Sequence, residues 1–377
     1  MILENSSWRV TTSSYSDSEK SINFTSDSAI LDFPVCVSPT PLLDRLYAAG
    51  VNDFFADASP MLFNTGTACD LATLALLDPD LLTEAVTMAA KQAKVTRRDW
   101  PLEAADLSWI RTARNLYLAT GDVTILDTIV PIASEIIDRE IAVSFDKDLS
   151  LFRGLLPSIP SYASRNDVMS VVSLYVNIDR ASAMRALGEL LGEDGDRYLQ
   201  LARKLTETIN DRFWIPESGR YGCALWGEFY PILVTASDNL AQAMAINQGI
   251  ATPEMASSIL SSIPLTDEGS PDVFPVPGRR TPSYALSSQL ALYTSASILH
   301  NEQSALLGLS AATAATFGDF SNNRDTRGAV AAAMLQSLAG ISFSDSGLEI
   351  SPFVPEKFSG EKIFSSLIYR GDTLDIH

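Results

Sequence analysis

Five stretches of the sequence combine aromatic rings with carboxylate or guanidinium groups. They span residues 53–70, 97–109, 153–162, 221–230 and 274–284. Aromatic rings stack on the C–H faces of sugars, and carboxylates and arginines form paired hydrogen bonds with neighbouring hydroxyl groups. This mixture predicts a carbohydrate site built from loops.

The individual candidates differ in how well they fit an ordinary structural role. Trp100 lies between a charged residue and Pro101, which favours the site over the core. Trp109 has helical spacing from Leu107 and Ile110, so its position is equally compatible with a place in the hydrophobic core and with a sugar contact. The stretches 153–162, 221–230 and 274–284 are equally compatible with ordinary Gly/Pro turns. Glu228 is the exception, because its position between Trp226 and Tyr230 favours a role in the sugar site.

The charge of the chain restricts its partners. There are 27 basic and 46 acidic residues, which gives 27 − 46 = −19 with both histidines neutral. This charge repels phosphate backbones and anionic lipids, and no local run of Lys or Arg offsets it. We therefore expect neither nucleic acid nor membrane as a partner. The oligomeric state is left open.

Few residues are suited to metal or redox chemistry. Cys36, Cys69 and Cys223 are far apart in the sequence, and the two histidines are His300 and His377. Because no ligand cluster, calcium-loop spacing or phosphate-binding glycine motif is present, we predict no metal and no cofactor. The first ten residues do not read as a secretory signal, so we expect a soluble protein, cytoplasmic as the sequence stands, or periplasmic or secreted if a leader was removed.

The elements that must hold the loops are mostly helical. Asp78-Pro79 and Thr252-Pro253 each supply an N-cap followed by a first-turn proline, and Thr120-Gly121 ends a helix. The 3.6-residue period predicts twelve helices, which make six hairpins. We place them at 41–49, 67–77, 80–95, 103–120, 123–143, 166–191, 195–211, 237–248, 252–263, 283–299, 302–316 and 325–340.

A sequential array of helical hairpins can close into a double ring with a concave site at one end. We therefore predict a mainly α protein built on an (α/α)6 barrel with short β segments at both termini. An open α-solenoid is the alternative, but the hairpins differ in length and show no residue-level repeat. The predicted domains are an N-terminal β-type segment (1–38), the barrel (39–340) and a small C-terminal β-sheet (341–377).

The order of several short motifs resembles the six-hairpin glycosidase superfamily, nearest to bacterial enzymes related to α-L-rhamnosidases and mannosylglycerate hydrolases. The motifs are Trp100-Pro101, Asp106-x-x-Trp109, Thr120-Gly121-Asp122, Phe152-Arg153-Gly154, Arg220-Tyr221-Gly222, Pro282-Ser283-Tyr284 and the strand-like runs near residues 347–355 and 369–376. The resemblance covers about residues 54–376 and implies an (α/α)6 barrel whose sugar pocket is lined by Asp70, Trp100, Asp106 and Trp109. With the loop candidates, the expected sugar contacts are Asp57, Asp70, Trp100, Asp106, Trp109, Arg153, Tyr162, Trp226 and Tyr284.

The sequence departs from these relatives where they carry the general acid. Family members tend to follow Arg-Gly with Glu and then an Asp-Trp pair, whereas residues 155–162 here contain no carboxylate. A hydrolase of this fold would invert, using two carboxyl groups about 6.5–9.5 Å apart. The remaining candidates for this pair are Glu228, Asp167 and Asp325.

These three candidates are expected to differ in protonation. Aromatic neighbours would partly desolvate Glu228 and raise its pKa toward that of a general acid. Asp325, at the start of the last inner helix, would be held ionised as a base. Asp167 competes for the acid role, or is simply a first-turn helix residue.

The sequence supports a glycoside hydrolase, acting on an oligosaccharide or glycoside, as the leading hypothesis. The alternative is a carbohydrate-binding (α/α)6 barrel that has lost its acid. A lyase or epimerase is a third reading, but such enzymes usually enlist His and Tyr, and His300 lies within a predicted helix while His377 is terminal.

Overall fold

The computed structural model describes residues 7–13, 19–25, 34–38, 40–56, 63, 69–95, 106–154, 171–266, 269–275, 282–317, 328–358, 360 and 363–376. The helices are α1 (Pro41–Ala56), a 3₁₀ helix (Leu71–Leu76), α2 (Pro79–Val95), α3 (Ser108–Thr120), α4 (Thr124–Val143), α5 (Leu174–Leu191), α6 (Asp196–Phe213), α7 (Asn239–Asn247), α8 (Pro253–Ser262), α9 (Leu286–Ile298), α10 (Glu302–Phe317) and α11 (Gly328–Ser337), with short 3₁₀ turns at Gly192–Gly195 and Glu356–Phe358.

The strands are short and mostly antiparallel pairs. They are β1 (Ser7–Ser13), β2 (Glu19–Thr25), β3 (Val35–Val37), β4 (Phe145–Asp146), β5 (Leu151–Phe152), β6 (Val171–Ser173), β7 (Trp214–Ile215), β8 (Arg220–Tyr221), β9 (Ala224–Trp226), β10 (Ile232–Val234), β11 (Ser237–Asp238), β12 (Val273–Phe274), β13 (Ile341–Ser344), β14 (Gly347–Ile350), β15 (Ile363–Tyr369) and β16 (Asp372–Ile376).

Six helical segments close an inner ring. Each packs against the next in the order 3₁₀ helix, α3, α5, α7, α9 and α11, and α11 returns to the 3₁₀ helix. Each of the first five is followed in the chain by the outer helix that covers it, namely α2, α4, α6, α8 and α10. The sixth inner helix, α11, is covered by α1 from the other end of the barrel segment. The predicted (α/α)6 barrel is confirmed.

Burial explains which helices are inside. In α5 every residue from Leu174 to Gly188 except Arg185 is buried. In α6 the buried residues are confined to one stripe that includes Tyr198, Leu205 and Ile209. A helix buried on all sides must lie inside, whereas a one-sided apolar stripe covers the core from outside.

Helix α1 extends seven residues beyond its predicted end because Gly50 is not a helix stop. A Cβ at Gly50 would lie 2.5 Å from the backbone nitrogen of Ala331 in α11. The glycine therefore permits close contact between α1 and α11, and buried Val51 and Phe54 continue the helix.

Two other helices differ from their predicted form. In the described part of the segment predicted at 67–77, the helix is a short 3₁₀ helix (Leu71–Leu76) that lies between two capping residues, Asp70 and Asp78. The helix predicted from residue 166 begins at Leu174, because residues 171–173 form strand β6.

One N-terminal strand and two C-terminal strands share a sheet, while β1–β2 and β13–β14 are separate hairpins. Strand β15 lies between β3 and β16, and both neighbours are antiparallel to it. The short β segments predicted at both termini are confirmed among the described residues, as β1–β3 and β13–β16. Within the described ranges, no helix combines the length and the apolar character needed to cross a bilayer.

Candidate site at the barrel mouth

The inner helices start at one end of the barrel, and the described parts of the loops singled out in the sequence lie there. Consecutive inner helices are separated by one antiparallel outer helix, so all inner helices start at the same end. The loops that lead into α5, α7 and α9 carry small antiparallel sheets, including β6, β9 and β10. We call this end the mouth.

Carboxylates stand at the start of four inner helices. Asp70 accepts a hydrogen bond from Ala72 N at 3.0 Å, and Asp106 accepts one from Ser108 N at 2.8 Å. Free N–H groups at a helix start favour such acceptors. The remaining bonds are Ala241 N to Asp238 at 3.1 Å and Ala285 N to Asp272 at 2.9 Å.

Asp106 and Asp179 are linked through the starts of α3 and α5. The Tyr175 hydroxyl donates to Asp106 at 3.3 Å, and the Leu107 N–H donates to Asp179 at 3.0 Å. The pKa of Asp179 is raised to about 6, because burial and the charge of Asp106 raise it more than the charge of Arg180 lowers it. Asp179 also forms a 2.7 Å ion pair with Arg180, so its carboxylate has a structural role.

Asp238 and Asp272 form a second carboxylate pair, which sequence reasoning missed. Burial raises the pKa of Asp238 to about 7; the N–H groups at the start of α7 oppose this, and the negative charge of Asp272 adds to it. Asp272 is itself held by Ala285 N and by the Ser288 hydroxyl at 2.8 Å. A signal for Asp238 was available, since it directly precedes a helical run, but its pairing with Asp272 has no local signature.

Buried amide side chains fix the mouth loops to the inner helices. The fourth residue of α5, of α7 and of α9 bonds both the N–H and the carbonyl of one residue in the preceding loop, at 2.8–3.0 Å. The pairs are Asn177 with Phe152, Gln242 with Tyr221, and Gln289 with Ser270. This arrangement recurs in three successive hairpins although the loops differ in length.

The predicted sugar contacts Arg153, Trp226 and Tyr284 lie in these loops and are partly exposed. Arg153 forms a 2.6 Å ion pair with Asp146 and donates to the carbonyl of Glu228 at 3.2 Å. Its guanidinium therefore ties the loop before α5 to the loop before α7, and a contact with sugar stays a prediction.

The expectation that aromatic rings desolvate Glu228 is wrong. Glu228 is exposed in the turn between β9 and β10, and its neighbours Phe229 and Tyr230 are 81% and 88% exposed. A short two-stranded turn projects its side chains into solvent, so these rings do not cover the carboxylate.

The interpretation of Trp109 as a sugar contact is also corrected. Its side chain is 1% exposed and belongs to the hydrophobic core with Leu107 and Ile110. The face of α3 that carries Trp109 is packed, whereas Arg111, Arg114 and other partly exposed residues lie on another face.

Five predicted site residues, Asp57, Trp100, Tyr162, Asp167 and Asp325, lie outside the described residues. Asp70 and Asp106 are described and stand at the starts of neighbouring inner segments. Asp70 is oriented by the Asn115 amide, which donates to it at 2.7 Å, and burial raises its pKa. That Asp70 and Asp106 share one pocket with Trp100 stays a prediction.

No known protein family profile matches the chain, and no curated protein matches it. Solved structures do. A family 78 rhamnosidase from Bacillus sp. GL1 has a TM-score of 0.63 and 14% identity over 92% of this chain and 40% of its own length. A rhamnosidase from Klebsiella oxytoca with bound rhamnose has a TM-score of 0.56 and 12% identity, covering 86% and 68%.

A third similar structure is an unsaturated glucuronyl hydrolase specific for heparin. Its TM-score is 0.51 and its identity 12%, over 81% of this chain and 90% of its own length. The chain spans about 40% of the length of the Bacillus rhamnosidase. At these identities the likeness concerns the fold, and the chain has the six-hairpin (α/α)6 fold of these glycosidases.

Proposed function

We propose that the protein is a glycoside hydrolase that acts on an oligosaccharide or glycoside at the mouth. The observation that carries the proposal is the set of carboxylates at the starts of four inner helices, at one end of the barrel. Because the fold is shared with rhamnosidases and a glucuronyl hydrolase, a carbohydrate is the substrate class it supports best.

The carboxylates differ in exposure, and therefore in whether they are available to a ligand. Asp238 and Asp272 are 6% and 5% exposed and hold helix starts and loops. Asp106 is partly exposed and accepts hydrogen bonds from Ser108 N and from the Tyr175 hydroxyl. We assign Asp106 to binding sugar hydroxyls, with Trp226 and Tyr284 as neighbouring loop contacts.

The proposed mechanism is inverting. One protonated carboxyl group donates its proton to the leaving oxygen, while a carboxylate removes a proton from the water that attacks the anomeric carbon. In the sequence, Glu228, Asp167 and Asp325 precede α7, α5 and α11, respectively. We propose that the acid and the base are two of these three residues.

A panel of aryl glycosides and short oligosaccharides tests the activity, and proton NMR of the first product identifies the anomer released. Glu228→Gln, Asp167→Asn and Asp325→Asn are compared with Asp211→Asn, an exposed residue of the outer helix α6. Two of the three variants should lose at least roughly 10²-fold in rate, and the control should lose nothing. Full activity in all three would contradict the assignment, and no turnover of any substrate by well-folded protein would contradict the function.

A carbohydrate-binding barrel without catalysis is the second candidate. It is favoured by the absence of a carboxylate in residues 155–162, where the related enzymes carry their acid. Calorimetry that detects sugar binding without turnover would support this candidate over the hydrolase.

A further inference from the structure

The inner helices α3 and α5 carry three arginines beyond the mouth. Arg111 and Arg114 are on α3, and Arg185 is on α5, the next helix in the ring. Arg111 lies five residues after Asp106, which is roughly 7.5 Å further along the helix axis. Arg111 therefore lies further along the barrel axis than Asp106, although Asn115 of the same helix bonds Asp70.

Space adjoins these arginines although they lie on inner helices. Arg185 is the one partly exposed residue in the otherwise buried stretch from Leu174 to Gly188. On α3, Arg111, Arg114 and Asn115 are partly exposed, while Ile110 and Ala113 are buried. Each of the three arginines therefore keeps part of its side chain in contact with solvent.

Arg111 lacks partners for part of its guanidinium. Its Nε and Nη1 atoms are shielded from solvent and have no hydrogen-bond acceptor among the described residues. Arg111 lowers the pKa values of Asp70 and Asp179, yet no carboxylate of the described ranges lies within ion-pair distance of it. A guanidinium stays protonated, so shielded N–H groups without an acceptor cost free energy.

Arg185 is also short of negative charge. Its guanidinium donates to the carbonyl of Gln248, and no ion pair to it is found in the described part of the chain. Burial lowers its pKa, Glu189 opposes this, and the charges of Arg111 and Arg114 lower it further. Glu189 is already paired with Arg114 at 2.9 Å.

We propose that Arg111, Arg114 and Arg185 bind a small oxyanion in the interior of the barrel. An anion placed among them would accept the unpaired N–H groups of Arg111 and offset the mutual repulsion of three like charges. The oxyanion is either a free inorganic ion or an acidic group carried by a sugar. The proposal goes beyond the glycosidase function and does not depend on it.

Thermal unfolding of the full chain tests this binding without any enzyme assay. Sodium sulfate is titrated in the low millimolar range against sodium chloride at constant ionic strength, so that general screening is the same in both series. We expect a saturable rise in the unfolding midpoint of roughly 1–3 °C with sulfate. No sulfate-specific rise would overturn the proposal.

Variants locate the site. Arg111→Gln and Arg185→Gln should each abolish the saturable rise, whereas Arg203→Gln, on the exposed face of α6, should keep it. If Arg111→Gln does not fold, the comparison of Arg185→Gln with the wild-type titration still tests whether the arginines bind the anion. Loss of the response in Arg203→Gln, or its persistence in both cluster variants, would refute the assignment.

A second pair of probes separates the two sources of the anion. Sodium glucuronate is compared with glucose under the same conditions. An arginine-dependent response to glucuronate identifies an acidic sugar as an occupant, and a response to sulfate alone identifies a free inorganic anion.

Discussion

The hydroxyl of Tyr175 donates a 3.3 Å hydrogen bond to Asp106 and so joins the first turn of α5 to the start of α3. The same two helix starts are joined a second time by the bond from Leu107 N to Asp179. Two carboxylates from neighbouring inner helices are thereby held close enough for the charge of one to change the protonation of the other.

Replacing Asp106 by Asn should lower the pKa of Asp179. Burial is the largest cause of its rise to about 6 and is not removed, so the value should stay above the ordinary aspartate range. Carboxyl NMR titration of labelled aspartates measures the change. An unchanged Asp179 titration would mean that the two groups are not coupled.

Replacing Asp238 by Asn should stabilise the protein relative to wild type as the pH rises from 5 to 7. The folded-state pKa of Asp238 is raised to about 7, so its contribution to stability is lost as pH rises toward that value. Asn still caps α7 and has no charge to bury. Over two pH units the expected gain is about 3 kcal/mol in the free energy of unfolding. Urea unfolding at both pH values measures it, and Asp211→Asn on the surface should show no comparable trend.

Replacing Gln242 by Leu should destabilise the barrel by about 2–4 kcal/mol. The substitution leaves the N–H and the carbonyl of Tyr221 buried without their partner. Urea unfolding compares it with Gln303→Leu, a change on the exposed surface of α10. Equal effects at the two positions would show that the amide does not hold the loop.

Replacing Gly50 by Ala should destabilise by about 1–3 kcal/mol. In an open helix position the same change stabilises by about 1 kcal/mol, so the sign is diagnostic. Here the added Cβ would lie 2.5 Å from Ala331 N and push α1 away from α11. A higher thermal midpoint for this variant would show that the ring closes without close contact at Gly50.

The aromatic residues of the candidate site should separate into two groups by their effect on stability. Trp109→Ala should cost about 3–5 kcal/mol because it empties a core position. Phe229→Ser and Tyr230→Ser should change stability by about 0.5 kcal/mol or less because these rings are almost fully exposed. Thermal unfolding of all three variants measures the contrast, and a large loss for Phe229→Ser would place that ring against protein.

Features set by neighbouring residues could be predicted from the sequence. Thr252 caps α8 and Asp78 caps α2 as expected, and Gly121 ends α3 in the left-handed conformation. Helix caps, helix-terminating glycines and the 3.6-residue repeat of apolar residues all involve residues within a few positions of one another. All twelve predicted helical segments therefore contain a helix in the described structure, and the sequential array of six hairpins predicted the barrel.

Features set by distant residues required the tertiary structure. Gly50 looked like a helix stop, and only the approach of α11, nearly 280 residues later, makes it a contact glycine. The pairing of α1 with α11, the burial of Trp109, the exposure of Glu228 and the coupling of Asp238 with Asp272 depend in the same way on which surfaces meet. The sequence determined the capped starts of helices such as α2 and α8, because caps are local, whereas the end of α1, the burial of side chains and the coupling of charges were decided by contacts that form only when the ring closes.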